Sequence, residues 1–336
     1  MVTLPAIRAS NELIPTALPP NLVAIFAGAT SGIGEATLKE FATKAVRPRV
    51  YFIGRNQEAA DRITTECKAL NPDGEFNFIK ADLSSMKNVD QLCEEIIKIE
   101  AVLNLLFMSQ GVPSLDKSLT PEGLHLLLAP AYYGRILMAS NLLPLLTRAS
   151  QATSPSLSRV ISVAAGTSEG HFYPADIPAL TLGFRAIKGH LCTLMTLALS
   201  ALAKQAPGVS FVHTNPGVVR TQYITHRVPG LLGAVLSAVT WIAGSWLCVP
   251  VAESGERHLW VCTTARFAPG GVEGVEGAEV AKGTDGKVGS GVYSIDQYGE
   301  VAGEKVVKLL EEYRRQGMED IAWNHTMGEV ERIRTM

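Results

Sequence analysis

Residues 22–42 read LVAIFAGATSGIGEATLKEFA, and few folds can hold such a stretch. An uninterrupted apolar run leads into a turn built on Gly28, Gly32 and Gly34, and apolar residues at helical spacing follow from about Gly34. A strand without polar alternation has to be covered on both faces. A glycine turn that hands it straight to an amphipathic helix opens a strand–helix–strand unit. The alternation recurs along the chain: VYFIGRN, FNFIKADL, VLNLLFMSQG, RVISVAAG and VSFVHTNPG read as strands, with helical stretches such as GRILMASNLLPLL and FRAIKGHLCTLMTLALSALAK between them. GVYSID, near residue 291, is placed to close the sheet as a last strand.

These elements predict an α/β fold: one Rossmann-type, doubly wound parallel sheet with helices on both faces. Residues 21–300 are assigned to this dinucleotide-binding and catalytic domain, residues 1–20 to an N-terminal extension and residues 301–336 to a C-terminal helical tail. The glycine-rich segment 267–290 reads as a flexible loop rather than a repeat module. Of the 336 residues, 47% are hydrophobic and 18% charged, enough apolar material for a substantial core. The net charge of -2 comes without a clustered basic run, which excludes the electrostatic footprint of a nucleic-acid binder and leaves small-molecule chemistry as the expectation. Cys67, Cys93, Cys192, Cys248 and Cys262 are widely separated and form no metal-spaced cluster, so no metal site is expected. Reduced thiols, and a first twenty residues broken up by prolines, Arg8 and Glu12 rather than forming an apolar leader, point to the cytoplasm.

The missing side chains at Gly28, Gly32 and Gly34 let the backbone approach a pyrophosphate. The helix N-terminus beyond offers unpaired N–H groups to its charge, and Thr30, Ser31 and Ile33 complete the loop. A glycine pattern alone is weak, but this one ends an apolar strand, opens a helix and has a second strand about twenty residues on. At the end of that second strand, where NAD-binding chains place an acidic residue for the ribose hydroxyls, stand Arg55 and Asn56. A guanidinium pairs with a 2′-phosphate that a carboxylate would repel, so NADP(H) is expected over NAD(H).

Taken together, GATSGIG, GRN, ADL at 81–83, SQG at 109–111, RVISV, Lys188 and NPGVVRT at 215–221 resemble the short-chain dehydrogenase/reductase family. The resemblance runs from about residue 22 to residue 222, and more loosely to residue 300. It implies that Asp82 and Leu83 border the adenine, that Gly111 lies near its ribose, that Lys188 grips the nicotinamide ribose, and that Pro216, Gly217, Val219 and Thr221 flank the nicotinamide amide. It also implies a reaction in which hydride reaches a carbonyl carbon. A tyrosine phenol, its pKa lowered by the lysine, protonates the oxygen, a serine holds it and an asparagine supports a water relay.

Against that pattern the chain keeps only the lysine: Phe184 stands in the tyrosine position, Ala165 in the serine position and Ala131 in the asparagine position. Deleting a general acid costs about a hundred- to ten-thousandfold, so the ordinary ketone-to-alcohol reaction is not expected. Arg135, one helical turn after Ala131, is placed either to reach the vacated space as a ligand for an acidic or carbonyl oxygen or to remain a surface arginine. Ser162 reads as a buried structural serine, Tyr132 and Tyr133 as packing residues, and Glu169, His171 and His190 as incidental to the pocket.

Residues 230–251 carry no charge and are long enough for a bilayer, yet they follow directly on the turn assigned to the cofactor. A substrate lid over 228–251 is the first reading, peripheral membrane contact the second and a true span the last. Three functional readings stay open. One is an NADP(H)-dependent oxidoreductase acting on an apolar substrate that needs no tyrosine, such as an iminium or an activated enone. The second is a cyclase, isomerase or pericyclic catalyst in which the cofactor is structural. The third is a scaffold subunit without catalysis. Helices represented by residues 120–147 and 183–203 pair chains in the family, which leaves a homo-oligomer open, and a tailoring role in specialised metabolism is an expectation by analogy.

Overall fold

The computed structural model describes residues 1–111, 117–152, 157–219, 248–275 and 277–336, with the side chain of Phe184 outside that description. Seven strands form one sheet: β1 (Val23–Ala27), β2 (Arg49–Gly54), β3 (Glu75–Lys80), β4 (Leu105–Met108), β5 (Arg159–Val163), β6 (Ser210–Thr214) and β7 (Val292–Ile295). Their order is β3-β2-β1-β4-β5-β6-β7, and every neighbouring pair is parallel. Each expected strand is present. Along β1, Val23, Ile25 and Ala27 enter one core while Ala24 and Phe26 enter the other, so the strand has no solvent face and needs no polar alternation.

One layer holds α1 (Leu4–Glu12), α2 (Ile14–Ala17), α3 (Gly32–Lys44), α4 (Gln57–Leu70) and α8 (Val251–Thr263). The other holds α5 (Met86–Ile99), α6 (Gly134–Ser150), α7 (Phe184–Gln205), α9 (Glu304–Arg315) and α10 (Met318–Arg334). The chain reverses direction across the sheet between β1 and β4, and in such sheets the crevice beyond the strand ends at that point is where ligands bind.

The first twenty residues form α1 and α2, and α1 lies on α8: Ile7 is buried, Arg8 pairs with Glu256 at 2.8 Å, and Asn11 Nδ2 donates to the Glu256 carbonyl. The C-terminal helices are equally attached. Ala322, Thr326, Val330 and Ile333 of α10 are buried, and Arg334 bonds Asp90 of α5. Because α10 packs on α7, residues 192–202 of α7 are buried on every side. Among the described residues α7 is the one helix long and apolar enough to cross a membrane, and its place is the protein core.

The glycine-rich segment is tied to its surroundings by backbone bonds from Gly270 N to Pro207 O, Ala281 N to Arg266 O and Thr284 N to Val292 O. Composition gives no sign of these bonds, because it carries no pattern that marks their partners. Val249 N donates to Val218 O at 2.8 Å, which brings together two described residues that lie on either side of 220–247 in the chain. The expected lid over 228–251 falls outside the described residues except for 248–251.

Candidate active site

A cleft of about 910 Å³ opens at the C-terminal ends of β1, β2, β4 and β5. Its lining includes Gly28, Thr30, Ser31, Gly32, Ile33, Gly34, Arg55, Asn56, Asp82, Leu83, Gly111 and Pro216, all expected from the sequence. The glycine loop is tight in a way that only glycine allows. Gly28 has φ +79° and a Cβ there would lie 2.5 Å from Gln110 N; a Cβ on Gly34 would lie 2.5 Å from Gly28 O. The helix behind the loop also differs from its neighbours. Asn56 and Ser85 accept backbone N–H bonds at the starts of α4 and α5, but Ser31 caps nothing at the start of α3. The first-turn N–H groups of α3 are thus left for a ligand anion, and the cradle fits a dinucleotide pyrophosphate.

The outer end of the cleft is charged. Arg55 is exposed at the end of β2, with no hydrogen bond or ion pair among the described residues. Glu35 of α3 and Arg62 of α4 also line this end, and neither was anticipated from the sequence. Arg62 donates to Glu35 at 2.7 Å and to Glu66 at 3.0 Å; Lys39 donates to Glu35 at 2.6 Å and also pairs with Glu66. Burial alone would raise the Glu35 carboxyl, but the bonds from Arg62 and Lys39 hold it below its ordinary value. The i,i+4 spacings Glu35–Lys39 and Arg62–Glu66 were legible one helix at a time, while their meeting across α3 and α4 was not.

The inner end is lined by Gln110, Leu127, Pro130, Ala131, Arg135, Val163 and Ala164. A turn of π-helix, Ala129–Tyr133, precedes α6, and such turns recur at functional sites. Arg135 is 3% exposed, which removes the surface reading. Its guanidinium donates to Ser162 Oγ at 2.9 Å, to Val163 O at 2.8 Å and to Gln110 O, and so ties α6 to the ends of β4 and β5. Ser162 is buried as expected. Tyr132 and Tyr133 are packing residues, their hydroxyls bonded to Thr326 and His325 of α10. The Gln110 amide is buried with neither its nitrogen nor its oxygen bonded.

Behind this wall lies a buried polar chain. Ala165 N–H donates to His213 Nε2 at 3.3 Å, which leaves the ring proton on Nδ1 facing Thr196 Oγ1 at 3.0 Å, and the Thr196 hydroxyl donates to Glu169 Oε1 at 2.8 Å. Ser294 Oγ donates to the same carboxyl oxygen at 2.6 Å. Burial, and secondarily the charge of Arg135, pushes His213 down to about 3, so the ring is neutral. Burial raises Glu169. Glu169 is therefore a structural residue behind the wall and outside the cleft lining, a role reachable only through non-local contacts. His190 is buried beneath Phe172 and accepts Tyr173 N–H, while His171 is exposed.

The remaining candidates are placed as follows. Ala164 lines the cleft, with Ala165 beside it, its carbonyl accepting from the Cys192 thiol. Lys188 is exposed on α7, one turn before Cys192, and is not among the described residues lining the cleft. Gly217 turns at φ +71° against Gln297, and Val219 is buried at the bridge to Val249, both outside the lining. Phe184 opens α7; its side chain, like the whole of Thr221, lies outside the described residues.

A family model described as short chain dehydrogenase matches residues 22–229. Oxidoreductase AN1596 of Emericella nidulans is 38% identical over 335 residues, 97% of each chain. Oxidoreductase andH of Emericella variicolor is 34% identical, covering 99% of this chain and 98% of its own, and Short-chain dehydrogenase/reductase SAT2 of Stachybotrys chartarum is 30% identical over 99% and 98%. Among solved structures, the Pseudomonas aeruginosa RhlG/NADP active-site complex shares the fold with a TM-score of 0.55 at 19% identity, over 75% of this chain and 93% of that one.

Proposed function

This chain belongs to the short-chain dehydrogenase family, and from that membership we propose that it is an NADP(H)-dependent oxidoreductase whose apolar substrate accepts hydride without a phenol to protonate it. The observation that carries the reading is a cleft with an intact glycine cradle and Arg55 at one end, Arg135 at the other, and no tyrosine among the described residues that line it. Bound NADPH would supply a hydride. Gly28, Gly32 and Gly34 with the first turn of α3 would hold its pyrophosphate, Asp82 and Leu83 its adenine, and Arg55 its 2′-phosphate.

At the inner end, a guanidinium fixed by Gln110, Ser162 and Val163 suits an oxygen on which negative charge builds. Arginine does not give up its proton, so the proton that completes the reaction comes from water. That combination favours an activated carbon–carbon double bond conjugated to a carbonyl. With the cofactor bound, hydride would be delivered to the β carbon; Arg135 would hold the oxygen that takes up the electron pair, and water would protonate the α carbon. A guanidinium opposes a cationic acceptor, which sets the enone ahead of the iminium. Full-length kinship with fungal oxidoreductases supports a tailoring role in specialised metabolism.

The first measurement is a fluorescence titration with NADPH and NADH, repeated on Arg55→Ala. Tighter NADPH binding that the substitution weakens is expected; binding of neither cofactor sinks the redox reading in favour of a repurposed pocket or a scaffold. With NADPH bound, a panel of cyclic enones, ketones and iminium salts is expected to consume cofactor only with the enones. Product formation with NADP⁺ as efficient as with NADPH would instead assign the pocket to non-redox catalysis.

A further inference from the structure

The charged network at the outer end is organised around one lysine. Lys39 bonds both Glu35 and Glu66, and Arg62 bonds the same two carboxylates from the opposite helix. Each carboxylate therefore has two cations, and either can lose Arg62 without being orphaned. Arg62 and Glu66 are each about half exposed, so the pair between them is solvent-screened and holds the guanidinium weakly. Arg62 nevertheless lines the cleft together with Arg55, Asn56 and Ala59, whereas Lys39 and Glu66 do not.

We propose that Arg62 is a partner-exchanging guanidinium. It is stored on Glu35 and Glu66 and turns onto the phosphate monoester of the adenosine ribose in NADP(H), while Lys39 stays behind to neutralise both carboxylates. The proposal rests on the NADP(H) reading above. Its energetic logic is a trade of weak, screened pairs for a charge-assisted arginine–phosphate contact that is stronger and more directional. Lys39 is the positioning residue. Without it Arg62 becomes the sole cation for two carboxylates and is held away from the ligand. Selectivity for the phosphorylated cofactor thus depends on a lysine outside the cleft lining.

The test measures dissociation constants for NADPH, NADH and 2′,5′-ADP by fluorescence titration and competition, at two salt concentrations. Arg62→Gln is expected to weaken NADPH and 2′,5′-ADP about tenfold and to leave NADH within about twofold, with a shallower salt dependence. Lys39→Met is expected to weaken NADPH alone by about threefold, Lys39→Arg to restore it, and Glu66→Gln to tighten it about twofold. Arg62 is half exposed, so a thermal melt of each variant reports an intact fold. NADPH binding unchanged in Arg62→Gln, or NADPH and NADH weakened equally, overturns the exchange. A wild-type preference for NADPH that disappears in Arg55→Ala but survives in Arg62→Gln overturns this proposal alone. A wild-type protein with no preference removes the cofactor reading and the proposal together.

Discussion

At the outer end of the cleft, the groups offered to a ligand are backbone N–H groups of α3 and solvated side chains such as Arg55 and Arg62. At the inner end they are side chains packed inside the protein: Arg135 braced on three acceptors, the unbonded Gln110 amide, and a neutral His213 behind them. The outer end offers the glycine cradle expected from the sequence, and the inner end offers a buried guanidinium whose bracing the sequence does not reveal. A cradle of glycine backbone fits any ligand with the same pyrophosphate, so keeping the cofactor constrains it. Side chains at the inner end answer to the reaction and change with it. The sequence leads one to expect three missing side chains there, and the structure places the buried Arg135 in that part of the lining.

The largest effect is expected from breaking that brace. Arg135→Met leaves the carbonyls of Gln110 and Val163 and the Ser162 hydroxyl without their donor, and unfolding by urea should show a loss of about 3 kcal/mol. Arg135→Lys should recover little, because one ammonium cannot span acceptors in the turn after β4 and on β5 as the guanidinium does. A loss below about 0.5 kcal/mol would mean that the inner wall stands without the arginine and that the contrast between the ends is only one of exposure.

A second way to separate the ends is acid. His213 has an ordinary value of 6.5 and is pushed down to about 3 in the fold, chiefly by burial. Between those values the unfolded chain binds a proton that the native state refuses, so stability is complete above pH 6.5 and falls as the pH drops. Relative to His213→Gln, the wild type should lose about 1.4 kcal/mol more for each pH unit between about 6 and 4. The comparison is made between variants because Glu169, 3.7 Å away and raised by burial, titrates in the same core. Glu35, at the outer end, is held below its usual value and loses its contribution only as the pH falls through that lower value. Equal slopes in the two proteins would show His213 to be solvated.

Smaller still is the expected effect of Arg62→Gln on folding. Arg62 itself is half exposed and Lys39 remains on both carboxylates, so a stability change under about 0.5 kcal/mol is expected in the same urea experiment. The outer end should therefore alter cofactor choice without altering stability, the reverse of Arg135. A drop comparable to that of Arg135→Met would erase the distinction.

How far the sequence could be read follows the same division. The seven strands, the glycine turn and the position of Arg55 are local patterns, carried by runs of a few residues, and each lies where its pattern placed it. Arg135 was ambiguous because its α6 neighbours do not reveal that its acceptors come from the turn after β4 and from β5. Glu169 and His213 were opaque for the same reason: their bonds join α7, β6 and β7 through contacts distant in the chain. Gln110 carried a signal that was passed over, a large amide in the SQG turn where the backbone presses against Gly28. Lys188 was placed by resemblance, and its exposed position on α7 is a fact of packing that spacing cannot supply.

The smallest effect is expected where the sequence suggests the largest. Ala131→Asn, Ala165→Ser and Phe184→Tyr together supply the side chains that the family resemblance would place at the inner end. If that end were merely depleted, the triple variant would reduce ketones. The structure argues for no gain. Ala131 sits on a π-turn, whose side-chain directions differ from those of an α-helix. Ala164 rather than Ala165 lines the cleft, and Ala165 is fixed by His213 and the Cys192 thiol. Arg135 holds the ends of β4 and β5 between them. NADPH consumption with an aldehyde and ketone panel should remain at the parent level, while enone reduction falls as the added polar groups intrude on an apolar wall. Ketone reduction appearing in the triple variant would show that the inner end keeps the family geometry under different side chains, and the contrast between the two ends would then reduce to three substitutions.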